Sequence, residues 1–117
     1  QHICVEDSLS GFARGKSSIQ TIIKLAKFNA VLCFILEYFS DLDISLVNPN
    51  TARKAVFGKA RSTGKKAKQF VKDHIESKYD VQKWIKYTTR GNPDPRNIDG
   101  YDALTVGLYY IQQLNKQ

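Results

Sequence analysis

At 117 residues, with 42% hydrophobic and 25% charged residues, the chain has the length of one domain and enough apolar content to bury a core. Eighteen Lys and Arg against eleven Asp and Glu give a formal charge of +7, which favours a polyanionic partner, nucleic acid first and an anionic membrane surface second. Two cysteines without CxxC or regular Cys/His spacing argue against a disulfide framework or a structural zinc site, and no signal-peptide pattern or apolar run of about 18 residues is visible, so a soluble, intracellular protein is expected.

Ile3-Cys4-Val5 is a short β-compatible run that ends in Glu6-Asp7 and a Ser/Gly-rich loop from Ser8 to Ser18. A buried strand this close to the first residue leaves little chain to cover it, so the chain reads as cut at its left end. A long helix is predicted from Ser17 or Ser18 to about Tyr38. Its second half has hardly any polar face, which predicts burial on several sides, by a dimer contact or by further sheet. Ile44 to Val47 reads as a second strand closed by Asn48-Pro49-Asn50, and two strands joined by a helix predict parallel pairing in a βαβ crossover. Beyond it we expect a short helix from Thr51 to Phe57 ending at Gly58, a basic loop from Lys59 to Lys66, and an amphipathic helix to about Lys78. A short helix from Val81 to Tyr87 and a surface loop precede the final helix, which runs from about Asn97 to Leu114.

The final helix opens with Asp99 and Asp102, one turn apart on one face, although its remaining pattern is that of a core helix. Two anions so placed repel each other, and a divalent cation would turn that repulsion into affinity. The simpler reading is that both acids favour the positive helix end, with Asp99 as a cap. Glu6 closes a buried strand at its C-terminal end, where α/β folds place their sites. If the last helix packs beside the first strand, Glu6, Asp99 and Asp102 converge into a set of oxygen donors suited to Mg²⁺ and to phosphodiester cleavage. The acids Asp7, Asp41, Asp43, Asp73, Glu76 and Asp80 read as solvated.

Arg53, Lys54, Lys59, Arg61, Lys65, Lys66, Lys68, Lys72 and Lys78 make nine of the eighteen cations in one segment, a pattern that suits either a phosphate-tracking surface or a solvated helix face. Arg14 and Lys16 add charge in the loop after Glu6, where Leu9 and Phe12 could touch a base or tuck into the core. Gly11 to Ser17 and Gly58 to Lys66 imitate a phosphate loop but miss its spacing, leaving a nucleotide binder as a distant rival. His2 and His74 have no partner at catalytic spacing and read as surface residues.

In order along the chain, Ile3 to Phe12, Asn50 to Gly58 with Arg53-Lys54-Ala55-Val56-Phe57-Gly58, and Asp99-Gly100-Tyr101-Asp102-Ala103-Leu104 resemble the RuvC-like Holliday junction resolvases of the ribonuclease H-like superfamily, in their phage and viral branch. The resemblance implies an α/β ribonuclease H-like domain over residues 1–117, a mixed sheet flanked by helices, corresponding to the family's C-terminal two-thirds. It implies that Glu6, Asp99 and Asp102 are catalytic, metal-binding carboxylates for Mg²⁺, with Mn²⁺ as a substitute. It places Arg53, Lys65 and Lys66 near the scissile phosphate; the charge pattern adds Arg14, Lys16, Lys54, Lys59 and Arg61 as further DNA contacts. The partner it implies is branched DNA, cut by a homodimer formed through the helix from Ser17 to Tyr38. The family's upstream strands, with one more catalytic Asp, are not in this sequence. A fragment, a domain completed elsewhere, or a module of the same fold that binds without cutting would each account for that.

Overall fold

A computed structural model describes residues 1–7, 18–58 and 65–117. In chain order these form β1 (His2–Glu6), α1 (Ile19–Phe39), β2 (Asp43–Val47), α2 (Pro49–Phe57), α3 (Lys65–Lys78), a single 3₁₀ turn (Gln82–Trp84) and α4 (Asn97–Leu114). The architecture is α/β. Its sheet, among the described residues, is a purely parallel pair rather than a mixed sheet, with His2 opposite Asp43 and Glu6 opposite Val47.

Local chemistry sets most boundaries. Ser18 caps α1 by accepting from the Thr21 N–H, and Asn48 caps α2 by accepting from the N–H groups of Asn50 and Thr51. Pro49 then takes the first helical position, where its missing N–H costs nothing. The segment Asn48-Pro49-Asn50, expected to close a strand, therefore starts α2 two residues before Thr51.

The helix expected from Val81 to Tyr87 shrinks to the 3₁₀ turn. Ile85 is extended and Tyr87 bridges antiparallel to Pro93. Competing hydrogen bonds explain this. The Lys86 N–H is taken by the Asn97 side chain, which also donates to the Lys86 carbonyl, and the Asp94 N–H donates to the same carbonyl. The connecting turn closes with Gly91 donating to the Thr88 carbonyl, and Gly91 has a φ of 79°, a conformation that glycine adopts without a Cβ penalty. Asp94, almost fully buried, ties the entrance of α4. It accepts from the Arg96 backbone N–H at 2.9 Å and from the Arg96 guanidinium through both oxygens. No side chain caps α4, whose first turn contains Asp99.

Two apolar clusters fill the interior. Val71, Ile75, Val81 and Tyr101 join α3 to α4, with Phe57, Ile85 and Leu104 around them. Val47, Ala52 and Val106 join β2, α2 and α4, with Cys4 and Tyr109 against them. Tyr101 donates its hydroxyl to Glu76, so Glu76 is a half-buried partner of the core and not a solvated acid. His74, read as a surface residue, stands edge-on to Phe57 at 4.8 Å between ring centroids.

The helix α1 carries the surplus apolar surface that the sequence pattern indicates. None of its 21 residues is buried. Ile22, Ala26, Asn29, Cys33 and Leu36 form a half-buried stripe, whereas Phe28, Val31, Phe34, Ile35 and Tyr38 on the other face stay exposed, Phe28 at 64% and Tyr38 at 72%. An 18-residue window of α1 has a mean hydropathy of 1.7, so by length and composition this helix could cross a membrane.

Hydrogen bonds and the Arg96 charge hold the Asp94 carboxyl down at about 2, below its ordinary value. A depressed carboxylate stabilises the fold above the unfolded-state value of about 4 and loses that contribution as pH falls towards about 2. Asp94→Asn is therefore expected to be less stable than the parent at neutral pH, with the gap closing between pH 4 and 2. Urea unfolding across that range checks it, and a gap independent of pH would refute it.

Candidate functional site

Strand parity builds the site. Side chains alternate across a strand, so His2, Cys4 and Glu6 share the face of β1 that meets α4. Along α4, Tyr110, Val106, Asp102 and Asp99 recur at helical spacing on one face. The two rows run in opposite directions. His2 stacks on Tyr110 with ring centroids 4.1 Å apart and planes 9° apart, Cys4 packs into the cluster that contains Val106, and Glu6 reaches the turn that carries Asp102 and Asp99. Cys4, Glu6, Asp99, Asp102, Ala103 and Val106 line one cavity of about 230 Å³. The last helix does pack beside the first strand, and three carboxylates from opposite ends of the chain line one cavity.

Neighbouring elements fix this geometry. Asn29 of α1 donates to the Glu6 carbonyl at 2.7 Å, and the Asp7 N–H donates to the Val47 carbonyl, so the end of β1 is held from two sides. On α4, Gly100 lets the Trp84 ring come so close that a Cβ at that position would lie 3.0 Å from it. Bulk at residue 100 would push α4 off the 3₁₀ turn, and Asp99 and Asp102 flank that point.

A cation is already part of the site. Arg53, on α2, donates from Nη2 to Asp102 Oδ1 at 2.7 Å, with the two side chains 26% and 20% exposed. Its Nε is buried and, among the described residues, has no hydrogen-bond partner. Burial pushes the Glu6 carboxyl above its ordinary value, the Asp102 and Asp99 charges push it further, and Arg53 opposes them. These influences mark a shared electrostatic site. Burial also raises the Cys4 thiol, which keeps it protonated and unsuited to act as a nucleophile.

The donor chemistry fits a hard divalent cation, because all three groups are carboxylates and two raise the proton affinity of the third. Among the described residues, no three His, Cys, Asp or Glu side chains stand as a ready-made metal-holding group. An open arrangement is what Mg²⁺ uses: it keeps several waters and binds through one or two carboxylates together with substrate phosphates.

Of the cations expected to contact DNA, Arg53 lies in the site, and Lys54, beside it on α2, is exposed, as is Lys66 in the first turn of α3. Arg14, Lys16, Lys59 and Arg61 lie outside the described residues, as do Leu9, Phe12, most of both phosphate-loop imitations and the side chain of Lys65. Sequence reasoning placed Arg53 near a phosphate and did not find its ion pair with Asp102. Its only signal was a basic residue four positions after a capping Asn-Pro pair, which says nothing of the partner. No family model, curated protein or solved structure matches this chain.

The Glu6 carboxyl is expected to titrate above the usual Glu range, to fall in Asp102→Asn and to rise in Arg53→Gln. Carboxyl ¹³C shifts followed against pH test this. An unchanged Glu6 midpoint in Asp102→Asn would show that the two groups do not share a site.

Proposed function

We propose that this chain is a ribonuclease H-like, RuvC-type domain of a metal-dependent endonuclease that resolves four-way DNA junctions by paired nicking. The observation that carries the reading is the meeting of Glu6, from the end of a parallel strand, with Asp99 and Asp102, from one face of α4, beside Arg53. Such a carboxylate cluster has no role in core packing and is costly unless a cation joins it. Glu6, Asp99 and Asp102 would hold Mg²⁺ or Mn²⁺, which would supply Lewis acidity and lower the pKa of a bound water enough to form the hydroxide that attacks phosphorus. Arg53 balances charge at Asp102 and faces the phosphate, and the exposed Lys54 and Lys66 draw in the polyanion.

Pairing of two copies accounts for α1. Phe28, Val31, Ile35 and Tyr38 repeat at intervals of three and four, the spacing of a helix–helix seam, on the face turned away from the half-buried stripe. An exposed apolar patch of this kind marks an interaction surface. Two copies joined there bring two acidic cavities to one junction, as symmetric cutting requires.

The ion pair of Arg53 with Asp102 favours a second reading, a junction-binding module of the same fold that does not cut, since one carboxylate is already engaged. Cleavage of a labelled four-way junction and of linear duplex, with Mg²⁺ or Mn²⁺, separates the two. Asp99→Asn is expected to lower junction nicking by about 100-fold or more while binding is kept, because a lost metal ligand removes several kcal/mol of transition-state stabilisation. Junction binding without metal-dependent nicking would select the second reading, and loss of binding together with cleavage would remove the metal role of Asp99. In sedimentation, Phe34→Glu should turn a dimer into a monomer. A monomeric parent chain would leave the pairing of α1 without support.

A further inference from the structure

We propose that Arg53 is the resident counter-ion of the acidic cavity, which a divalent cation must displace from Asp102 in order to bind. This rests on the nuclease reading of the same cavity and adds to it a metal–arginine exchange.

Three features point to exchange rather than to a fixed tie between helices. The guanidinium supplies positive charge where a metal would: it contacts one oxygen of Asp102, a carboxylate that lines the cavity together with Glu6 and Asp99. Its hydrogen bonding among the described residues is incomplete, with Nε buried and unpartnered there, whereas a guanidinium built only to join two helices would place more of its five donors. The attraction of the acids holds it there against the cost of an unpaired donor. Finally, the pair is held by a single hydrogen bond from Nη2 to Oδ1, and both side chains keep a path to water, so Asp102 can trade one cation for another without unfolding α2 or α4.

The exchange has a chemical consequence. Without metal, one positive charge faces three carboxylates and keeps the cavity from pushing its own walls apart. With metal bound, Arg53 is released at the cavity edge with its full donor fork free, the geometry that recognises a phosphate oxygen pair. Metal loading and phosphate capture then become successive uses of the same pair of residues, and a phosphate finds Arg53 available only after the metal has arrived.

The first readout needs no variant. The Arg53 Nε–H signal in a ¹H–¹⁵N spectrum of the parent chain should move during titration with Mg²⁺, in step with the Glu6 and Asp99 carboxyl shifts. In calorimetry with Mn²⁺, Arg53→Gln should bind the ion at least about tenfold more tightly than the parent, since a nearby competing charge has been removed. An Arg53 signal that stays fixed while the carboxyl signals saturate would overturn the exchange. So would equal or weaker Mn²⁺ affinity in an Arg53→Gln protein whose circular dichroism matches the parent. Asp99→Asn separates the two levels of the argument: if it abolishes Mn²⁺ binding, the metal site stands whatever Arg53 does. If neither the parent nor Arg53→Gln binds Mn²⁺, the metal reading fails and the exchange fails with it.

Discussion

The contact between one face of β1 and one face of α4 is the constraint on which the rest depends. Two helical turns of α4 cover about the same length as five residues of strand, so His2, Cys4 and Glu6 find partners at Tyr110, Val106 and Asp102 in sequence. An aromatic stack, an apolar contact and a charged cluster follow one another along a single seam. Shifting β1 by one residue would turn Glu6 away from the acids and bring Val5, which is buried, onto the charged face. The parallel ladder with β2 prevents that shift, because it fixes Glu6 opposite Val47, and Val47 is itself locked among Ala52 and Val106. Register, core and site are thus one arrangement.

Charge is distributed unevenly over this frame. The chain is strongly basic, yet one cavity gathers three carboxylates, one of them paired with Arg53. A phosphate drawn in by the general positive field would meet local repulsion at the cavity unless cations neutralise it. That opposition makes a site selective: long-range attraction governs arrival, and the occupancy of the cavity governs what happens after arrival.

Much of the frame was legible in the sequence because it depends on local chemistry. The strand ending at Glu6, the Ser18 start of the first helix, the Ile44-to-Val47 strand and the final helix all follow from periodicity and capping. The features that escaped depend on which of several competing partners a group takes, and most of those partners lie far away in the chain. Asn48-Pro49 can close a strand or open a helix, and only the paired N–H groups of Asn50 and Thr51 decide between them. Residues 81–87 have helical composition, but Asn97 and Asp94 take the hydrogen bonds a helix would need. Glu76 has the spacing of a solvated acid and is claimed by Tyr101. In α1 the pattern correctly showed too much apolar surface, but a pattern counts apolar residues without saying whether the chain itself covers them, and here it does not. For the site, the two aspartates were visible as a pair one turn apart, whereas their meeting with Glu6 depended on a tertiary contact that only the fold could supply.

The position of the three carboxylates along the chain also bears on how the molecule comes together. Most of the sequence separates Glu6 from Asp102, so their meeting closes a long loop, and loop closure is entropically costlier the more residues it spans. The contacts within α3, the 3₁₀ turn and α4 are short-range and can form early, while β1 must find α4 across every intervening element. Assembly of the cavity therefore coincides with completion of the fold, and a partly folded chain presents its basic surface without its acidic centre.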